Sequence, residues 1–294
     1  MTMEVTVHGA RGSLPSPGAG MLRYGGNTAC VTVDVAGEPL LIIDAGTGIA
    51  HVPAASFAGR GVNLLVSHLH WDHVIGLPFF AGARDAGARV AVYGPAGEYG
   101  FRRDLDQVIS PPGFPIDTAG FAGQWSFHDV GDGTFALGSI EVTARAIRHR
   151  GLALGFRVAC DGAALAYLSD HGPGAEGRGL GEDDVVPPSV VDLVQDVDLL
   201  FHDSQYADAE YQQFRTFGHT TPAYAVRVAA AGLVRTLVLF HHDPFRTDEG
   251  VDEMLAIGRR AAKELGFRGQ LVAAAEGDCF VVGDPTRSSR REPT

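Results

Sequence analysis

The chain has 294 residues, 12 histidines and a formal net charge of -12, a balance that excludes a broad electrostatic footprint on nucleic acid or anionic membrane, since both reward clustered Lys and Arg. Its length suffices for one large domain with a substantial core, and one domain over 1–283 is expected, followed by a polar, disordered tail at 284–294. Cys30, Cys160 and Cys279 form no C-x-x-C pair, the opening MTMEVTVHGARG shows no basic segment followed by an apolar stretch, and no apolar run approaches the roughly 20 residues of a membrane span, so a cytoplasmic protein without a disulfide framework is expected.

Short β-branched runs predict strands in chain order: EVTV from Glu4, CVTVDV from Cys30, PLLIID from Pro39, VNLLVS from Val62 and ARVAVYG from Ala88. The segment 94–138 interrupts them with Gly, Pro and aromatic residues (ISPPGFP, FAGQWSF) and reads as a substrate-facing insertion or a long surface excursion. Strands resume with IEVTARAI from Ile140, LGFRVAC from Leu154, ALAYLSD from Ala164 and VDLLFHD from Val197. TLVLFHHD from Thr236 and DCFVVG from Asp278 complete the set. Helical spacing covers Thr221 to Leu233, with Thr221 as N-cap and Pro222 at N1, and Val251 to Leu265, closed by Gly266. Strands come in groups without strict βαβ alternation, which predicts an α/β (α+β) fold of two mixed β-sheets with helices outside.

After VNLLVS the sequence reads HLHWDH, four candidate ligands in six positions. In an extended segment His68 and His70 point to one side, and a turn into a helix would aim Asp72 and His73 at a second point close by. Imidazole and carboxylate suit a borderline divalent ion such as Zn²⁺. A polar loop capping a strand is the plain alternative, but further candidates stand at other strand ends, namely His149, Asp170 and His241.

With these residues the chain resembles the metallo-β-lactamase superfamily, whose H-x-H-x-D-H signature is present as His68, His70, Asp72 and His73. LIIDAGTG with Asp44, His149, Asp170 in YLSD and His241 in LVLFHHDP match its other motifs over nearly the whole length. GARGSLPSPG…RYGGNTACVTV, FHDSQY and GHTTP are most similar to the phosphodiesterase-like branch that includes tRNA 3′-end processing nucleases and cyclic phosphodiesterases. The resemblance implies a four-layered αβ/βα sandwich and two divalent ions, Zn²⁺ first, with Mn²⁺ or Fe²⁺ as alternatives. It assigns His68, His70 and His149 to one ion, Asp72, His73 and His241 to the other, and Asp170 as the bridge. Asp44 would orient the site, and His242 would take the place of His241 if the motif slips by one residue.

Two such ions would activate a bridging hydroxide to attack a phosphoester. Asp72, His219 in GHTTP and Asp203 in FHDSQY are the expected catalytic residues, His219 donating to a phosphate oxygen and Asp203 pairing with it. Arg148, beside His149, and Arg145, Arg150 and Arg157 are candidate substrate contacts. Only about twenty residues separate His149 from Asp170, too few for the arm with which tRNA-processing relatives grip tRNA. The expected substrate is therefore a small anionic diester such as a cyclic nucleotide, with no extended nucleic acid, no membrane partner and a homodimer as a possible assembly. A rival enzyme would open a lactone, thioester or other ester on the same fold, with ISPPGFP forming an apolar pocket. A metal-binding oxidoreductase or non-hydrolytic accessory protein is the remaining alternative.

Overall fold

Runs that alternate buried and exposed positions, such as Met3–Gly9, make strands covered on one face, whereas Leu40–Ile43 and Ala163–Leu168 are buried throughout and covered on both. The computed structural model describes residues 2–173 and 185–283; the expected disordered tail at 284–294 lies outside the described residues. The strands of the first half are β1 (Met3–Gly9), β2 (Cys30–Val35), β3 (Leu40–Ile43), β4 (Val62–Leu65), β5 (Arg89–Pro95), β6 (Gln124–Val130) and β7 (Gly133–Leu137). Those of the second are β8 (Ile140–Ala146), β9 (Leu154–Cys160), β10 (Ala163–Leu168), β11 (Leu199–Asp203), β12 (Thr236–Phe240), β13 (Gln270–Ala273) and β14 (Cys279–Val282). The α-helices are α1 (Trp71–Val74), α2 (Phe101–Val108), α3 (Pro188–Val194), α4 (Asp208–Phe214), α5 (Pro222–Ala231) and α6 (Asp248–Leu265).

Two 7-stranded sheets result, ordered β14-β1-β2-β3-β4-β5-β6 and β13-β12-β11-β10-β9-β8-β7. Both are mixed in the same way: β1 to β3 and β7 to β10 pair antiparallel, β3 to β6 and β10 to β13 parallel. One apolar cluster, including Val5, Val33, Phe156, Leu165 and Phe240, draws on both sheets and fills the space between them. A second packs α3, α5 and α6 on the outer face of one sheet, and a third packs α1, α2 and short 3-10 turns on the other. The order is helix, sheet, sheet, helix, as expected of the sandwich. No helix among the described residues is long and apolar enough to cross a membrane.

Three strands carry no β-branched run in the sequence: β6, β7 and β13. All three lie at or beside a sheet edge with weak burial patterns (eieieeB, ieieB, eiiB), so polar side chains and aromatics replace the apolar run that marks a covered strand. The segment 94–138 thus contains α2, β6 and β7. Helix α5 starts where expected, with the Thr221 hydroxyl accepting from Tyr224 N, and ends at Ala231, two residues short of Leu233, because Gly232 is its C-cap. Helix α6 begins at Asp248, three residues before the apolar periodicity, because Thr247 accepts from Gly250 N and the polar first turn belongs to the helix.

The topology decides where chemistry can gather. β3, β4, β8, β10, β11 and β12 all deliver their carboxyl ends to one rim, the position where open α/β sheets place their sites. A hydrogen bond from Leu154 N to Ser67 O, 2.9 Å, joins the two sheets beside it.

Candidate metal centre

β4 ends at Leu65, and the chain stays extended to His70, the N-cap residue of α1. His68 and His70 have ring centroids 4.4 Å apart, as two residues on one side of an extended segment should. The short helix then turns Asp72 and His73 inward and leaves Trp71 71% exposed. From the other sheet come His149 after β8, Asp170 after β10 and His241 after β12. Asp44 (φ 61°) and His241 (φ 59°) both hold the left-handed backbone conformation, uncommon for residues with a side chain, and this strain aims them into the site.

Two four-residue groups of ligand atoms form there, each within 4.8 Å: His68, His70, His149 and Asp170, and Asp72, His73, Asp170 and His241; a third group of three, Asp203, His219 and His241, adjoins them. Asp170 belongs to both. Its Oδ2 lies 3.7 Å from His68 Nε2 and 3.5 Å from His149 Nε2, and its Oδ1 lies 3.0 Å from His73 Nε2 and 3.2 Å from His241 Nε2. His149 Nε2 is also 3.1 Å from His70 Nδ1.

The outer ring nitrogens show where the protons are. His73 Nδ1 donates to Asp44 Oδ2 at 2.7 Å, His149 Nδ1 to Gly218 O at 3.0 Å and His241 Nδ1 to Gln205 Oε1 at 2.8 Å. Each acceptor is an oxygen without a proton of its own, so in the neutral ring Nε2 is a lone pair facing inward. His68 Nδ1 lies 3.0 Å from Ser67 Oγ, whose own hydroxyl donates to Asp44 Oδ2 at 2.8 Å, giving the same polarity. His68 Nε2, His73 Nε2 and Asp170 Oδ1 are buried with no hydrogen-bond partner. Lone pairs and carboxylates converging in a largely buried cluster, with His70 at its exposed edge, repel one another unless a cation lies among them, so the donor set fits divalent metal. Burial opposes charge on Asp170, yet His241, His73 and His68 hold its carboxyl well below the ordinary carboxylate range. Burial likewise opposes charge on His73, and Asp170, Asp72 and Asp44 overcome it, raising its pKa well above the usual histidine value. The carboxylates draw positive charge to this point.

A sequence profile of the Beta-lactamase superfamily domain matches residues 41–242, a span that contains every residue of both groups. The chain belongs to the beta-lactamase superfamily. Ribonuclease Z of Kineococcus radiotolerans is 30% identical over 270 aligned positions, covering 79% of this chain and 81% of that protein. Ribonuclease Z of Haloarcula marismortui is 27% identical over 321 aligned positions, covering 94% and 96%. The metallo-beta-lactamase fold protein YhfI from Bacillus subtilis shares the fold with a TM-score of 0.69 at 20% identity, covering 96% of this chain and 99% of that one.

In this superfamily member Asp203 and His219 stand at the edge of the metal centre. His219 Nδ1 donates to Asp203 Oδ2 at 2.7 Å, and its ring stacks on His241 with centroids 4.9 Å apart. Burial pushes the Asp203 carboxyl up and the His219 ring down, while Thr220 N and Gln205 N donate to Asp203 Oδ1 and favour the carboxylate. Asp44 accepts from Ser67 N, Ser67 Oγ, His73 Nδ1 and Tyr167 Oη, so it orients rings without entering either group.

Other expected residues do not reach the superfamily site. His242 donates Nε2 to Ala274 O at 2.9 Å and packs edge-on against Tyr24, on the far side of the chain from His241, because the left-handed turn at His241 reverses the direction of its neighbour. It therefore belongs to none of the ligand groups. Arg157 caps the end of α3 through Leu193 O and Gln195 O, and Arg145 is tied to Gly133 O and Ala144 O. Arg148 remains half-buried beside His149, its backbone oxygen accepting from Gly172 N. Ser13, Ser67, Tyr167 and Gln205 also belong to the site. Ser13 N donates to Asp72 Oδ2 at 2.6 Å, and the GARGS and FHDSQY segments gave the only sequence signal for Ser13 and Gln205.

Gly218 is required twice over in this superfamily site. Its φ is 94°, and a Cβ there would collide with His149 Nδ1. Gly218→Ala is expected to displace His149 and to weaken metal retention by about 10- to 100-fold, the range for lost supporting contacts, measured by competition with a coloured chelator. Unchanged retention would show that the ring tolerates the shift.

Proposed function

We propose that this protein is a binuclear metal-dependent phosphoric diester hydrolase acting on a small anionic diester, such as a cyclic nucleotide. The observation that carries the reading is Asp170, a carboxylate common to two four-residue groups, with His219 stacked beside them. The relatives named ribonuclease Z support phosphodiester chemistry. A small substrate is supported by the net charge of -12 and by the tight β9–β10 hairpin that fills most of the interval from His149 to Asp170.

His68, His70 and His149 would hold one ion and Asp72, His73 and His241 the other, with Asp170 common to both. When bound, divalent ions supply Lewis-acid stabilisation of phosphoryl oxygens and acidify water. Asp44, Ser67 and Gln205 fix the rings so that no reorganisation is needed during reaction. His219 donates from Nδ1 to Asp203, so it can donate from Nε2 to a phosphoryl oxygen or protonate the departing alkoxide only as the imidazolium, a form that burial opposes and Asp170 and Asp72 favour.

Purified protein loaded with Zn²⁺, Mn²⁺ or Fe²⁺ is expected to bind two ions per chain and to cleave bis(4-nitrophenyl) phosphate. Two bound ions with no diester cleavage under any metal would overturn the reading. One observation favours hydrolysis of a lactone, thioester or carboxylic ester instead: Ile109, Gly113 and Phe114 of ISPPGFP line an apolar cleft beside the centre. Turnover of such esters, with diesters inert, would establish that alternative.

A further inference from the structure

The cleft beside α1 has a volume of about 440 Å³, and Trp71, Ile75, Phe79, Ile109 and Phe114 form most of its lining. Among the described residues no charged side chain lines it. Its first wall is Trp71, the residue between His70 of one ligand group and Asp72 of the other, so the cleft begins where the candidate metal centre ends. We propose that this cleft is a binding subsite for a flat aromatic group carried on one arm of the substrate. The proposal rests on the phosphodiester reading for the position of the anionic end.

Charge partitions such a substrate. The anion belongs at the two ligand groups, and the cleft offers nothing to a second charge, which leaves it a neutral arm. The volume falls within the range of about 300 to 1,000 Å³ usual for small-molecule sites, which suits one ring system and not an extended polymer. Aromatic side chains decide the kind of arm. Phe79 and Phe114 meet edge to face with centroids 5.8 Å apart, and Trp71 and Phe79 are 71% and 50% exposed. Exposed rings of this size cost solvation unless covered, and rigid ring walls favour a flat partner through stacking and edge contacts. Helix α1 fixes the backbone of Trp71, because Asp72 and His73 of the same helix are buried.

The test uses phosphonates as non-hydrolysable probes: methylphosphonate, n-octylphosphonate and 2-naphthylphosphonate, each with one arm on a common anion. The protein has two tryptophans, so Trp125→Phe leaves Trp71 as the sole indole reporter. Naphthylphosphonate is expected to inhibit diester cleavage about tenfold more tightly than methylphosphonate, a gain typical of one stacked ring, and to quench Trp71 fluorescence. The naphthyl-to-methyl ratio is expected to collapse toward one in Phe79→Ala and in Phe114→Ala, with metal content measured alongside to report on the centre. A ratio near one in the parent protein, a ratio retained in both variants, or an equal gain from the octyl arm would overturn the aromatic subsite. Diester cleavage without quenching overturns the subsite alone. Quenching by the naphthyl probe with no diester cleaved upholds the subsite and overturns the phosphodiester reading.

Discussion

Asp170→Asn is expected to lower turnover by at least ~10³-fold, because it removes the charge common to both ligand groups while keeping the side chain's shape. In the parent protein Asp170 faces four imidazoles at 3.0 to 3.7 Å. An amide in its place offers one neutral oxygen and turns an N–H toward lone pairs, which opposes a cation. The same substitution should shrink the thermal shift caused by chelation. A ligand that binds only the folded state stabilises by about 4 kcal/mol at 1,000 times its dissociation constant. The parent protein should therefore lose several degrees of melting temperature on treatment with a strong chelator, and the variant much less. A near-ultraviolet circular dichroism spectrum that matches the parent would show that the variant is folded. Full turnover in folded Asp170→Asn would remove the basis for a shared bridge.

The second large effect concerns His219 and Asp203. His219→Ala is expected to reduce kcat by about 10²- to 10⁴-fold on a diester with an alkoxide leaving group, with metal content measured alongside because His219 forms a third group with Asp203 and His241. On bis(4-nitrophenyl) phosphate the loss should be smaller, because 4-nitrophenolate leaves without a proton. Asp203→Asn tests the partner. Asp203 takes two backbone N–H groups on Oδ1 and the His219 proton on Oδ2, so an asparagine that keeps the first pair points its amide hydrogens at His219 Nδ1. The ring must then turn or change tautomer, and the leaving-group dependence should follow that of His219→Ala. Equal losses on both diesters would assign His219 to holding the phosphoryl group instead of assisting departure.

Covered strands were legible in the sequence because their side chains must be apolar on both faces, as in Leu40–Ile43 and Ala163–Leu168. Three of the four edge strands, β6, β7 and β13, were not: β6 as Gln124–Val130 shows water alternate polar and aromatic residues and resembles a loop by composition. The site divides in a similar way. HLHWDH announces itself because its groups are adjacent along the chain, whereas His149, Asp170 and His241 are marked by strand-end position alone and are assigned to particular ions through the superfamily resemblance. Tyr167, Ser67 and Gln205 are ordinary residues in sequence, and only the packed strand ends bring them onto Asp44 and His241. His242 shows the limit of reading by position, since one left-handed residue sends neighbouring imidazoles to opposite sides.

The two sheets contribute unequal halves of one rim, His68 to His73 from the first and His149, Asp170 and His241 from the second. During synthesis the first half is made long before β12 leaves the ribosome, so the growing chain holds an incomplete, low-affinity set of ligands until residue 241 arrives. A divalent metal held by ligands from both sheets would tie them together at their shared end, so metal-dependent hydrolysis would begin only in a chain that has completed both halves.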